Sequence, residues 1–103
     1  MATMLYVTGR IETGRWADFL EAANRWREFR QSRGWAVPRV CGSLAGEMNT
    51  AMLVFEYPDA ATFELEDAAA ATDREYAVVA AAMPFAGPIE CKLFREALPP
   101  TGD

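Results

Sequence analysis

Hydrophobic and polar positions alternate with period two at both ends of this chain and recur with helical spacing between them. In residues 4–12 (MLYVTGRIE), Leu5, Val7, Gly9 and Ile11 fall on one face and Tyr6, Thr8, Arg10 and Glu12 on the other, which predicts a half-buried strand. Residues 15–33 place Trp16, Phe19, Leu20, Ala23, Trp26 and Phe29/Arg30 on one stripe, as an amphipathic helix does. Gly34 supplies the left-handed residue that ends it. Residues 35–45 read as a second strand, and Pro38, with no N–H to donate, puts it at a sheet edge. Gly46 to Asn49 turn the chain. Residues 50–57 (TAMLVFEY) are apolar almost throughout, the pattern of a central strand covered on both faces.

Pro58 stops that strand, and Asp59 is placed to cap a helix over 60–71. Phe63 is expected to face inward, with Glu64, Glu66 and Asp67 in solvent. Thr72-Asp73-Arg74-Glu75 has the S/T-x-x-E form of a capping box, so the helix breaks and restarts there. Tyr76, Val79, Ala80 and Met83 form the buried side of the second segment. Pro84, Gly87 and Pro88 mark a loop. Residues 89–96 alternate as a last strand, with Ile89, Cys91 and Leu93 opposite Glu90, Lys92 and Phe94. Residues 99–103 read as a disordered tail, which leaves a single domain over 1–98.

The order is strand, helix, strand, strand, helix, strand. That predicts an α+β fold of the ferredoxin-like βαββαβ kind, a four-stranded antiparallel sheet with two helices on one face. The other face is left open. Met52 and Val54 must point there if Leu53 and Phe55 point to the helices, and a chain of 103 residues has no third layer to cover them. A second copy packed sheet to sheet resolves this, so a homodimer is expected.

Composition narrows the chemistry. The chain has no histidine, which removes imidazole bases, histidine-ligated haem and the Ser-His-Asp and Cys-His mechanisms. Cys41 and Cys91 lie far apart and form no CxxC pair, so no zinc site is expected. They read as small buried hydrophobes, bridged only if they meet in space. No cofactor of any kind is expected. A net charge of −5 argues against nucleic acid and anionic membrane as partners. There is neither a signal-peptide pattern nor an apolar run long enough to span a bilayer, so a cytoplasmic location is expected. Arginine far outnumbers lysine, a coding bias of a GC-rich bacterial genome rather than a physical signal.

Gly46 and Asn49 before the third strand, Phe55 and Tyr57 within it and Asp59 just after it resemble the NIPSNAP family, whose members carry G-x-x-N, then aromatic-x-Tyr and a cap. Thr72-Asp73-Arg74-Glu75-Tyr76 is similar to that family's D-P-E-W segment, and Thr13-Gly14-Arg15-Trp16 to its P-G-K turn. The resemblance covers nearly the whole chain in order and spacing. It implies membership of the wider dimeric α/β-barrel superfamily, which includes the antibiotic-biosynthesis monooxygenases. The chain departs from the family pattern at Val7 and Gly9, where a charged Arg and a Tyr are common, and at Leu53, where His is common. Haem-degrading relatives need an axial histidine that this chain lacks.

Several side chains remain as candidates for chemistry. Glu56 is the only acid inside the most apolar strand, and a carboxylate buried there becomes a stronger base; pairing with Arg10 or Arg39 is its structural role. Arg39 can hold a developing oxyanion, or serve as a surface ion pair. Asn49 is placed to make its turn, and Tyr57 to pack on the second helix. Tyr6, Trp35, Phe55, Phe63 and Phe85 can line an apolar pocket for an aromatic ligand, or simply fill the core. Two function classes follow. One is a cofactor-independent enzyme acting on a hydrophobic or polyketide-like molecule by oxygenation, cyclisation or isomerisation. The other is a non-catalytic dimeric small-molecule-binding protein.

Overall fold

The computed structural model describes residues 1–98. Its first strand, β1 (Thr3–Arg10), runs into Gly14, whose φ of +79° turns the chain into α1 (Trp16–Ser32). Then come β2 (Arg39–Gly42), β3 (Thr50–Tyr57), α2 (Ala60–Ala71), α3 (Arg74–Ala81) and β4 (Glu90–Arg95). The four strands form one antiparallel sheet in the order β2-β3-β1-β4. This is the ferredoxin-like α+β arrangement expected from the element order. The second helical region is two helices rather than one, so three helices accompany the sheet. The proposed tail over 99–103 lies outside the described residues.

The period-two pattern of β1 carries directly into packing. Val7, Gly9 and Ile11 are buried toward the helices, where Val7 and Ile11 join Phe19, Ala22, Ala23 and Trp26 of α1 and Leu53 and Phe55 of β3 in one core. Gly9 is required by a close approach: a Cβ there would sit 2.8 Å from Phe85 Cδ1 and 2.9 Å from Ile89 Cγ2. The ring of Phe85 therefore lies where a side chain would otherwise be, and meets Phe19 edge-on at 6.0 Å.

Three local expectations are corrected. The strand predicted over 35–45 shrinks to Arg39–Gly42. Trp35 N donates to Arg30 O and Ala36 N to Glu66 Oε1, so this stretch is tied to the helix layer and its N–H groups are spent before any ladder begins. At the helix break, Asp73 rather than Thr72 is the cap, accepting from Tyr76 N at 3.1 Å, while Thr72 closes α2. Glu75 does not complete a capping box; it pairs with Arg33 of α1 at 2.6 Å. Cys91 is exposed, and Cys41 is half-buried. They sit on the two outer strands, three strand spacings or about 14 Å apart, beyond the reach of a disulfide.

Asp59 caps α2 as expected, accepting from Thr62 N at 2.7 Å. These bonds, first from the Thr62 hydroxyl and then from its backbone N–H, hold the Asp59 carboxyl below the usual carboxylate range.

Candidate functional site

Cross-strand register decides which side chains share a face, because directly opposed residues point the same way. On the face away from the helices, Glu56, Met4 and Phe94 form one row, Arg39, Val54, Tyr6 and Lys92 the next, and Cys41, Met52, Thr8 and Glu90 the third. The centre of this face is apolar and its edges are charged. Between β1 and β4 it is hollowed into a groove of about 680 Å³, floored by Met4, Tyr6, Thr8 and Met52 and walled by Phe94 and residues 95–97. Tyr6 meets Phe94 edge to face at 5.5 Å. Its hydroxyl reaches only Met4 Sδ, a weak acceptor, at 3.7 Å, which leaves donor capacity toward the groove.

Glu56 and Arg39 are on this face too. Arg39 opposes Val54, so Glu56, two residues further along β3, is its diagonal neighbour, about 7–8 Å away. Both side chains are exposed, and among the described residues neither makes an ion pair. The expected burial of Glu56 is thus corrected: it ends a row at the rim of the open face, opposite Met4 of the groove floor. Arg10 is not its partner either, since Arg10 Nε lies 3.2 Å from Glu47 Oε1.

The sheet divides the remaining candidates from these. Phe55 points to the helices, packed edge-on against Trp26 at 5.8 Å. Trp35 packs on Phe29 and Tyr76, Phe63 on Tyr57, and Phe85 over Gly9. Trp35, Phe55, Phe63 and Phe85 therefore belong to the helix-side packing, while Tyr6, Glu56 and Arg39 share the open side. No single pocket gathers all seven.

Sequence reasoning missed a polar cluster on the helix side. Arg30 is buried on the inner stripe of α1 and spans to α2. Its Nε donates to Ala36 O at 2.5 Å, and Nη2 donates to Glu66 Oε1 at 3.1 Å and to the Tyr57 hydroxyl at 3.4 Å. The guanidinium also lies over the Phe55 ring at 4.8 Å and the Trp35 ring at 5.5 Å. Glu66, expected in solvent, has a side chain only 13 % exposed. Burial pushes the Tyr57 phenol up to about 12, against the pull of the Arg30 cation. Burial raises Tyr76 as well, again opposed by Arg30. Such groups stay protonated at neutral pH and act as fixed donors. The one available signal was Arg30 itself, a charge inside an otherwise apolar helical stripe.

Among the described residues, no three cysteine, aspartate or glutamate side chains gather where they could hold a metal ion. No helix there is long and apolar enough to cross a membrane.

No protein-family model matches the sequence, and no curated protein matches it. Solved structures do. A NIPSNAP family protein from Agrobacterium tumefaciens superposes with a TM-score of 0.75 at 12 % identity, over 98 % of this chain and 95 % of that one. A NIPSNAP domain protein from Burkholderia xenovorans gives 0.74 at 18 % identity, over 97 % and 99 %. The chain has the NIPSNAP-like ferredoxin-like fold. A Caulobacter crescentus protein described as a candidate antibiotic biosynthesis monooxygenase is similar as well, with a TM-score of 0.76 at 12 % identity over 94 % and 91 %. At these identities the likeness is one of fold, and the site must be argued from this chain's own residues. Val7, Gly9 and Leu53, the departures from the NIPSNAP pattern, all face the helices, where Val7 and Leu53 are core and Gly9 makes room for Phe85.

Proposed function

We propose that this chain is one half of a homodimeric α/β barrel that takes a hydrophobic, aromatic or polyketide-like small molecule on its open sheet face and transforms it without a cofactor. The observation that carries this reading is the groove of about 680 Å³, which has an apolar floor and shares its face with Glu56, Arg39 and Tyr6. Its volume falls within the about 300–1,000 Å³ of small-molecule sites. Glu56, at the rim, removes a proton from a carbon acid lying across Met4. Arg39, its diagonal neighbour, steadies the enolate that forms. Proton removal is the first step common to cyclisation, isomerisation and attack of an electron-rich substrate on O₂. Trp35, Phe55, Phe63 and Phe85 act behind the sheet, holding the strands rather than touching the ligand.

The exposure of Glu56 and its lack of contact with Arg39 favour a second reading, a dimeric binding protein without turnover. Two measurements separate the readings. Light scattering across a dilution series tests the dimer, and a stable monomer near 11.4 kDa overturns both. A panel of aromatic carbon acids, followed by proton exchange and O₂ uptake, tests turnover. Binding without exchange or uptake selects the binding protein.

A further inference from the structure

We propose that the groove is half of a ligand chamber whose other half is the same face of a second copy, so that ligand binding and dimer formation are coupled. This rests on the small-molecule reading above and adds the partner and the linkage.

The groove is one-sided. Its floor is the sheet, its wall is β4 with residues 95–97, and the packed helix-side core lies on the opposite face. A molecule lying on Met4, Tyr6 and Met52 keeps its outer side in water, whereas a small-molecule site normally buries about 70–90 % of its ligand. A roof is needed, and the described residues provide none.

Charge selects what the roof is. The chain carries −5 overall, yet the open face is balanced, with Arg10, Arg39 and Lys92 against Glu47, Glu56 and Glu90. The acidic excess lies elsewhere, so two copies can bring these faces together without bringing their net charge together. Arg39 and Glu56, which are exposed and make no ion pair among the described residues, are free to meet opposite charges of the partner copy. The area is of the right order. Four strands about 4.8 Å apart and eight residues long at about 3.3 Å each give a face of about 500 Å² in projection. Its corrugated accessible surface is larger, against the about 800 Å² per partner of a standard interface.

A ligand enclosed by two copies binds the dimer and not the separated chains, and therefore stabilises the dimer by mass action. For one ligand per chamber at about 100 times its dissociation constant, the apparent dimer dissociation constant falls about 100-fold.

The test uses 1-naphthol, a neutral aromatic probe, with the intact chain. Sedimentation equilibrium is run over a dilution series with and without the probe, and binding is titrated above and below the dimer midpoint. Coupling is supported if the probe tightens the dimer at least 10-fold and binds more tightly above the midpoint. It is overturned if the probe binds monomer and dimer equally, loosens the dimer, or binds a chain that stays monomeric; in those cases small-molecule binding itself survives. If 1-naphthol and the aromatic panel all fail to bind a chain that does dimerise, the small-molecule reading falls together with the coupling. Met52→Lys and Thr8→Lys each place a charge on the groove floor, outside the core. Whichever keeps the wild-type circular dichroism is expected to lose dimer and probe binding together. Loss of one without the other overturns the proposal.

Discussion

Arg30 Nη2 lies 3.1 Å from Glu66 Oε1 in the interior, joining α1 to α2 across thirty-six positions of sequence. Glu66 Oε1 also accepts from Ala36 N at 2.8 Å, so one carboxylate oxygen ties helix, helix and the Trp35–Pro38 crossover together. Two ions removed from water gain little net stability by meeting, but breaking such a pair leaves a buried charge with no partner.

Glu66→Ala is therefore expected to cost about 3–5 kcal/mol, the range for breaking a buried pair. Urea unfolding followed by tryptophan fluorescence measures it. The double variant Arg30→Met/Glu66→Leu removes both charges and is expected to recover most of the loss. A double variant as unstable as Glu66→Ala would show that shape, not charge, governs this site.

Tyr57 makes stability sensitive to alkali. Burial raises its folded value from about 10 to about 12. The unfolded chain thus releases the phenolic proton first as pH rises. The contribution is fully present below pH 10 and is lost on approaching pH 12, with a size on the order of 3 kcal/mol. Tyr57→Phe should flatten the urea midpoint between pH 9.5 and 11 relative to wild type. Parallel curves would contradict the assignment.

Gly9→Ala is expected to destabilise by about 1–3 kcal/mol, the range for overpacking a filled core. The new Cβ would meet Phe85 Cδ1 at 2.8 Å. Thermal unfolding reads the effect, and adding Phe85→Leu should restore part of it by removing the ring that fills the space.

Glu56→Gln keeps the shape of the rim and removes the base. Because Glu56 is exposed, the fold should be unaffected, with a urea midpoint equal to wild type. If the protein is an enzyme using this base, turnover of its substrate falls by about 10²–10⁴-fold. Unchanged turnover across pH would make Glu56 structural.

Arg33 ties α1 to the start of α3, with Nε 3.2 Å from Asp73 Oδ2 and Nη2 2.6 Å from Glu75 Oε2. The hydrogen bond from Tyr76 N, followed by the bond from Arg33, holds the Asp73 carboxyl below its ordinary value. A depressed carboxyl contributes stability above the unfolded value of 3.8 and loses it as pH falls below that. Asp73→Asn is accordingly expected to lower the melting temperature at pH 7 and to leave it nearly unchanged at pH 3. An equal loss at both pH values would assign the effect to shape.

What the amino-acid order determined by itself was local and periodic. The alternation of Leu5, Val7, Gly9 and Ile11 set which side of β1 meets the helices. Gly34, with φ of +72°, ended α1, and Asp59 began α2. These are decided within a few residues, by backbone sterics and by side chains reaching their own neighbours. The run of apolar residues in β3 likewise showed that both of its faces are apolar. Only the tertiary structure decided register, and with it the site. Whether Glu56 is buried depends on what lies opposite it, and that is Met4 at the rim of an open face. Whether Arg30 is solvated depends on Glu66, Tyr57 and Ala36 arriving from three other segments. The same long-range pairing put Tyr6 on one side of the sheet and Phe55 on the other. A side chain's chemistry is set by its dielectric surroundings and its charged neighbours, and in this fold both come from segments distant in sequence.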